Sequence, residues 1–316
     1  MVSFVKYPSI ENHYREKFLE YVREAGYDNE QYIVTEKIHG ANFSFHTKGK
    51  MVRVASRNDL TDGTFYGSQV VIDRFEDAIM DLKNTEYPDA EQISVYGELY
   101  GQGIQSGVFY RADKGFIAFD LHVDAEIIPQ SVSIELFREY CIPHVPVVEI
   151  TDSLDEALAI SNTFNSLLPN ILDPESVCQY ETGENNAEGL VIQPFNKVLY
   201  LHNDSRVIIK SKTEAFQERK QKKRNKNPGT PNPFVELAEE YVNTARMEAV
   251  ISKIGEVTQR DFGRVIGDMS KDVAEDMIKD EVLPEDWKKQ EDFKLAGKGI
   301  QKVVSKFLKE ELLPEL

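Results

Sequence analysis

The spacing of apolar positions along the chain changes several times, and each change marks a different element. Tyr14, Phe18, Tyr21, Val22 and Ala25 recur at helical spacing and Gly26 ends the run, which predicts one amphipathic helix in the first 30 residues. Short runs rich in β-branched and aromatic residues follow and predict strands. They are Gln31–Ile38, Ala41–His46, Met51–Ala55, Gln92–Leu99, Gly115–Val123, Gly189–Pro194, Lys197–Leu201 and Arg206–Lys212. Helical patterns interrupt them near Tyr66–Met80, Val132–Tyr140 and Ser153–Thr163. Such an order is α+β, not the regular strand–helix alternation of a doubly wound sheet.

Lys226–Pro233 then holds three prolines and a glycine in eight residues, the composition of an extended linker. Beyond it, residues 234–316 are charged, helix-prone and without strand patterning. The expected organisation is an α+β domain over 1–225, a linker over 226–233 and a small all-helical domain over 234–316.

Composition narrows the class. A length of 316 residues suits roughly two domains, and 41% apolar residues with 17 Phe and 14 Tyr can fill a core. Two cysteines, Cys141 and Cys178, are too few for a disulfide framework or a four-thiolate zinc site. No apolar run approaches the ~18 residues of a membrane span, and the N-terminus turns polar too soon for a signal peptide. A reduced, soluble, cytoplasmic protein is expected, in the host cytoplasm if the source is viral. The formal charge of −17 argues against a protein coated in positive charge. Yet the segment from Lys210 to Lys226 carries eight bases against two acids. Such a run is ordinarily a solvated helix face; read functionally, it is a strip that contacts a phosphate backbone.

Candidate chemistry starts at Glu36-Lys37-Ile38-His39-Gly40-Ala41-Asn42, where one strand pattern ends and the next begins. A lysine at a strand end before a glycine turn can project its amine into a cleft. To act as a nucleophile it must shed a proton held with a pKa near ~10.4, and burial or neighbouring positive charge helps. A lone K-x-x-G is more simply a surface lysine before a hairpin. Two further lysines shift the balance: Lys210 and Lys212 sit two apart on a predicted strand, hence on one face, and two cations there suit a phosphate. Glu98, the Phe119-Asp120 pair, Glu188 and Arg57 lie at strand boundaries, where an acid is ordinarily a turn residue and a Phe ordinarily core.

Taken in order, these residues resemble the covalent nucleotidyltransferases, the superfamily of DNA ligases, RNA ligases and mRNA capping enzymes. Lys37-Ile38-His39-Gly40 matches the K-x-[DH]-G attachment motif, and Arg57, Glu98, Phe119, Glu188 and Lys210/Lys212 follow at the separations of the remaining motifs. The K-x-H-G-x-N form resembles the RNA ligase 2 branch, with its phage ligases and trypanosome RNA-editing ligases. Tyr7-Pro8-Ser9-Ile10-Glu11-Asn12-His13-Tyr14 is similar to the opening of the phage members. Ser252-Lys253-Ile254-Gly255-Glu256 and Asp261-Phe262-Gly263 are similar to their helical C-terminal domain. The resemblance spans nearly the whole chain.

It implies an ATP-grasp-like nucleotidyltransferase domain of antiparallel sheets with flanking helices, in a monomeric ATP-dependent RNA ligase. Lys37 attacks the α-phosphorus of ATP to give lysyl–AMP and pyrophosphate. AMP passes to an RNA 5′-phosphate, and a 3′-hydroxyl then displaces it and seals a nicked or bridged duplex RNA. Carried over by position, Glu98 binds the ribose, Phe119 stacks on adenine, and Lys210 and Lys212 hold the α-phosphate. Glu188 supports the metal-bound, deprotonated-lysine state as the expected Mg2+ or Mn2+ contact, and Arg57 contacts phosphate. Glu36, Ile38 and Asn42 border the nucleotide, and His39 serves the later RNA steps. Arg246 and Asp272 are the implied RNA contacts of the C-terminal domain. Phage members often carry Thr where this chain has Ala41, which implies one lost hydroxyl contact to phosphate or substrate.

Three other readings compete. A DNA ligase or a GTP-using capping enzyme typically adds a β-barrel domain, whereas the tail here reads helical. A non-catalytic RNA-binding protein would use the basic strip and exposed aromatics but leaves the set of Lys37, Glu188, Lys210 and Lys212 without a purpose. Asp261-Phe262-Gly263 lacks the other kinase motifs, the glycines of 101–107 miss the dinucleotide spacing, and the histidines lack zinc-ligand spacing.

Overall fold

The computed structural model describes residues 4–172, 183–217, 232–284, 286–287 and 293–316. The chain forms two compact units, Met1–Thr213 and Glu214–Leu316. Of the basic strip, positions 218–226 lie outside the described residues, as does Cys178. So does all of the expected linker except Asn232 and Pro233, the N-cap and first residue of a helix. Cys141 is a free, exposed thiol. No helix among the described residues is long and apolar enough to cross a membrane.

The first unit holds eleven strands and five helices among its described residues. The strands are β1 (Glu11–Asn12), β2 (Tyr32–Lys37), β3 (Ala41–Lys48), β4 (Met51–Ser56), β5 (Leu60–Thr61), β6 (Ile93–Tyr100), β7 (Gly115–Val123), β8 (Glu126–Ile127), β9 (Val147–Thr151), β10 (Gly189–Pro194) and β11 (Ile209–Lys212). The helices are α1 (Glu16–Glu24), α2 (Gln69–Glu86), α3 (Gln130–Glu139), α4 (Leu154–Ala159) and α5 (Leu168–Leu172). One sheet runs β1-β11-β10-β2-β9 and the other β5-β4-β3-β6-β7-β8. Every pairing is antiparallel except β1 with β11.

Period-2 alternation decides what each sheet face does. Tyr32 and Val34 of β2, Leu190 and Ile192 of β10 and Ile209 of β11 pack with Phe18, Leu19 and Val22 of α1 and with α4. In the other sheet, Ala41, Phe43 and Phe45 of β3, Val95 and Leu99 of β6 and Phe116 and Leu121 of β7 join α2 and α3 in a second core. The opposite faces carry polar groups, and these meet across the unit in a buried network. Arg206 donates from Nη2 to Asp120 Oδ1 at 3.1 Å and to Gln193 Oε1 at 2.6 Å, while its Nη1 pairs with Asp120 Oδ2. The Tyr7 hydroxyl donates to Asp120 Oδ2 at 2.6 Å, and Gln130 Nε2 to Asp120 Oδ1 at 2.6 Å. Burial and the adjacent Asp120 push the Tyr7 hydroxyl well above its ordinary range, so it stays a donor.

Several expectations shift. The first helix turns Phe18, Leu19 and Val22 inward and leaves Tyr14 and Tyr21 exposed. Lys197–Leu201 forms no strand: Tyr200 makes one isolated bridge with Arg206 and the residues on either side of it have no regular structure. Ladder pairing of the last strand starts at Ile209, and the helix expected over Ser153–Thr163 stops at Ala159. Strand β9 lies where no strand pattern was read.

The second unit contains α6 (Pro233–Glu239), α7 (Thr244–Ile254), α8 (Phe262–Lys279) and α9 (Phe293–Glu311). Asn232 and Asn243 cap α6 and α7 through their side-chain oxygens. Val265, Met269, Val273 and Met277 line one face of α8, and Ile300, Val304 and Leu308 line one face of α9, in a single core.

The Asp120–Arg206 pair gives a direct stability test. Asp120→Ala leaves a buried guanidinium without its counter-ion and should cost about 3–5 kcal/mol. The double variant Asp120→Leu/Arg206→Met should regain most of that, since it removes both desolvated charges. Urea unfolding of the wild type and both variants checks this.

Candidate active site

Lys37 ends β2, Glu188 immediately precedes β10, and Lys212 ends β11. The ladder pairs Gly189 with Lys37 on one side and with Lys212 on the other, so Glu188 arrives between two lysines by register. Its carboxylate is nearly inaccessible and is divided between them. Oε2 lies 3.0 Å from Lys37 Nζ and 3.4 Å from His39 Nδ1, and Oε1 lies 2.9 Å from Lys212 Nζ. Burial alone would raise this carboxyl, but Lys212 and Lys37, with His39 beside them, hold it well below the usual range. Lys210 shares the Lys212 face of β11 by alternation.

Two glycines make this approach possible. A Cβ on Gly189 would stand 2.0 Å from the Ser211 carbonyl oxygen, so a side chain there would push β10 away from the strand that carries Lys212. Gly40 turns β2 into β3 with its α-carbon against β6, where a Cβ would stand 2.3 Å from the Leu99 carbonyl oxygen. The glycine of K-x-H-G therefore answers to packing as much as to turning.

The second sheet supplies the facing wall. Asn42 of β3 is paired with Glu98 of β6. Burial pushes the Glu98 carboxyl up to about 7, opposed by Lys37 and reinforced by Glu188, which places it in the same field as the lysines. Arg57 also acts on Glu98, and its Nη2 reaches the Pro8 carbonyl oxygen at 3.4 Å. Phe119 is the bulge residue of β7: Tyr96 faces Asp120 and Gly97 faces Ala118, so Phe119 has no partner in the ladder. Its ring is half-buried, and Tyr7 meets it edge-on at 5.0 Å. The Asp120 network fixes the residue after Phe119, and Gln130 Nε2 donates to the Phe119 carbonyl at 2.9 Å. Ile38 is buried beside Lys37.

Not every expected residue joins this cluster. Glu36 precedes Lys37 and so falls on the other face of β2. Its carboxylate accepts from Ser166 Oγ at 2.6 Å and Leu167 N at 2.8 Å, so its side chain braces the loop leading into α5. Ala41 is also displaced from its expected setting: it is fully buried among Phe43, Phe45 and Leu99, and a hydroxyl there would enter an apolar core. The two expected RNA contacts of the second unit differ in exposure: Asp272 keeps 23% of its side chain accessible, while Arg246 keeps none. Arg246 is completely buried, pairs with Asp272, and reaches Asp276 at 2.7 Å, while Lys253 meets Asp272 at 2.8 Å. These groups lock α7 to α8, and the guanidinium has no surface left to offer RNA.

Other residues at the site went unread in the sequence. The Tyr110 hydroxyl accepts from His39 N at 2.7 Å, and Asn185 makes two 2.8 Å hydrogen bonds to the Phe109 backbone. Gln105 Nε2 donates to the Gly40 carbonyl at 3.2 Å. Together they hold the 101–114 loop against the lysine turn. The glycine-rich run 101–107 followed by two aromatics was the available signal. Asn162, which anchors Ser211 Oγ and the Lys212 carbonyl at 3.0 Å each, carried none. Among the described residues, no group of three or more His, Cys, Asp or Glu gathers to hold a metal by itself.

Comparison with known proteins agrees with this geometry. The RNA ligase family model matches residues 30–212, and the model of the T4 RNA ligase 2 C-terminal domain matches residues 229–313. The mitochondrial RNA-editing ligase 1 of Trypanosoma brucei brucei is 24% identical over 294 residues, covering 77% of this chain and 60% of the relative. The chain thus spans about 60% of the length of that relative. Structures of the Naegleria gruberi RNA ligase, one a mutant apo form and another a mutant with ATP and Mn, share 17% identity and a TM-score of 0.50. Each covers 68% of this chain and 58% of that one, a likeness of fold.

Glu36 yields a pH prediction. Burial raises its carboxyl from an ordinary 4.5 to about 7, against the hydrogen bonds from Ser166 and Leu167. The folded state then holds a proton that the unfolded chain has lost, so this contribution to stability is present at low pH and disappears as pH rises through about 7. Glu36→Gln should remove that slope, up to about 1.4 kcal/mol per pH unit. Urea midpoints at pH 5, 6, 7 and 8 decide it; parallel profiles for the two proteins would refute the assignment.

Proposed function

As the chain belongs to the RNA ligase family, we propose that it is an ATP-dependent RNA ligase joining 3′-hydroxyl and 5′-phosphate ends across a break in duplex RNA, through a lysyl–AMP intermediate on Lys37. The observation that carries this reading is the division of the Glu188 carboxylate between the amines of Lys37 and Lys212. An amine nucleophile, a second cation and a buried acid meet where three strand ends converge. Phosphoryl transfer needs that set: a group to attack, positive charge for the oxygens as charge develops, and fixed positions for both.

In the first step Nζ of Lys37, having shed a proton, bonds to the α-phosphorus of ATP while the bond to the bridging oxygen breaks and pyrophosphate leaves. Lys212 and Lys210 take the α-phosphate oxygens. Phe119, held by its bulge and the Asp120 network, stacks on adenine, and Ile38 closes the adenine side. Glu98 binds ribose, its raised affinity for a proton letting it donate or accept there. Asn42 and Arg57 steady the phosphates. Glu188, kept ionised by its two lysines, holds Nζ in place and would supply the one carboxylate contact of a divalent cation otherwise held by substrate phosphates and water. Mg2+ or Mn2+ held there would neutralise phosphate charge; the Naegleria gruberi ligase recorded with ATP and Mn supports that choice. AMP then moves from Lys37 to an RNA 5′-phosphate, and an RNA 3′-hydroxyl displaces AMP to form the phosphodiester, with His39 beside the lysine for these later steps. The helical second unit, matching the T4 RNA ligase 2 C-terminal family, favours RNA ligation over DNA sealing or capping.

Incubation with α-labelled ATP and magnesium should leave an acid-labile, alkali-stable covalent label. Lys37→Ala should abolish it, and Glu188→Ala or Lys212→Ala should slow its formation by about 10²-fold or more. Full labelling of Lys37→Ala, or labelling by GTP in place of ATP, would overturn the reading.

A further inference from the structure

Helix α9 carries a feature that the nucleotide pocket does not use. Lys294, Lys298, Lys302 and Lys306 recur at four-residue spacing, Lys309 follows three residues later, and all five are exposed. No Asp or Glu stands between Lys294 and Lys309. The core-facing residues Ala296, Ile300, Val304 and Leu308 occupy the opposite side of the same helix. Successive lysines rise by about 6 Å, and the whole row spans about 22 Å of axis.

Folding does not explain the row. Like charges at i,i+4 each cost about 0.2–0.5 kcal/mol on a helix, and three such pairs follow one another here. The neighbouring helix shows the ordinary solution: on α8, Arg264 stands 3.7 Å from Asp268, and Lys271 stands 3.9 Å from Glu275. In a chain of net charge −17, the exposed face of α9 carries five lysines before its first acid, Glu310, closes the row. That is the signature of an anionic ligand.

We infer that this row is a docking rail for the sugar-phosphate backbone of duplex RNA, a deepening that rests on the ligase reading for its substrate. The chemistry of the face selects the occupant. Phe307, the one aromatic between the first and last of these lysines, packs against the helical core, and Phe293 before them meets Trp287, so neither is a free platform for the base stacking that single-strand binders use. The apolar face of α9 is spent in the core, which leaves nothing to insert into a lipid surface. A protein partner would call for an apolar centre, whereas the exposed apolar side chains of α9, Phe293 and Leu295, sit at one end of the row. A row of flexible ammonium groups about 6 Å apart along one side of a helix suits a line of phosphates and reads no sequence.

The test uses the full chain and a nicked RNA duplex. The variant Lys298→Gln/Lys302→Gln/Lys306→Gln should bind that duplex about tenfold or more weakly at 0.1 M salt. Its slope of log affinity against log salt should be shallower by about 2 to 3, matching three lost phosphate contacts. Lysine adenylylation and the circular dichroism spectrum should not change, and the matching triple Lys→Arg variant should bind as the wild type does. Unchanged affinity and slope would refute the rail. So would a loss confined to single-stranded RNA, to anionic vesicles or to an acidic protein. The two readings fail separately: a wild type that never takes AMP but binds duplex through these lysines sinks the ligase, not the rail.

Discussion

The candidate site depends on one interaction: a carboxylate withdrawn from water between two lysine amines. Charges taken out of water must be paid for by close, well-directed partners, and removing one partner strands the other. Glu188 is therefore a constraint on backbone as well as a contact. Its position requires β10 to lie between β2 and β11, with Lys37 and Lys212 at matching ends. That closeness in turn admits only glycine at 189. The long sequence distance between Lys37 and Glu188 is bridged by strand order, and the chemistry inherits its precision from the ladder.

A second buried ion pair plays the corresponding part farther from the reaction. Asp120 and Arg206 tie polar sheet faces together and gather Tyr7, Gln130 and Gln193 around them. Because Asp120 follows the bulge residue Phe119, the network that stabilises the unit also aims the ring expected to take adenine. Stability and binding geometry here are the same set of contacts.

How much of this was legible in the sequence follows from the range over which each signal acts. Strands β7 and β10 show the same limits in sequence and structure because their runs of β-branched and aromatic residues are self-contained. The motif lysines were legible from residue type and order. Parity along a strand was legible too, and should have moved Glu36 and Ala41 to the faces opposite Lys37 and Asn42. Strand β1, two residues long and paired in parallel with a strand almost two hundred residues away, left no local pattern. Arg246 was expected as an RNA contact by resemblance, and nothing local in the sequence marks an arginine on a helix as buried. Its partners, Asp272 and Asp276, lie one helical turn apart on α8, a second helix, and only tertiary packing reveals them.

Net charge misleads for the same reason: it is a sum with no positions in it. An excess of acid over base says that the average surface repels a polyanion, which limits indiscriminate adhesion. It is silent on whether the few unpaired cations are scattered or aligned. In this chain Lys37 and Lys212 of the candidate site are balanced by a buried acid, whereas the lysines of α9 from Lys294 to Lys309 have no acid between them in the sequence. Over a Debye length of about 8 Å at physiological salt, a phosphate approaching α9 responds to that row and hardly at all to acids elsewhere. An acidic protein can thus handle nucleic acid at low occupancy of non-specific sites, provided its cations are placed where the backbone must run.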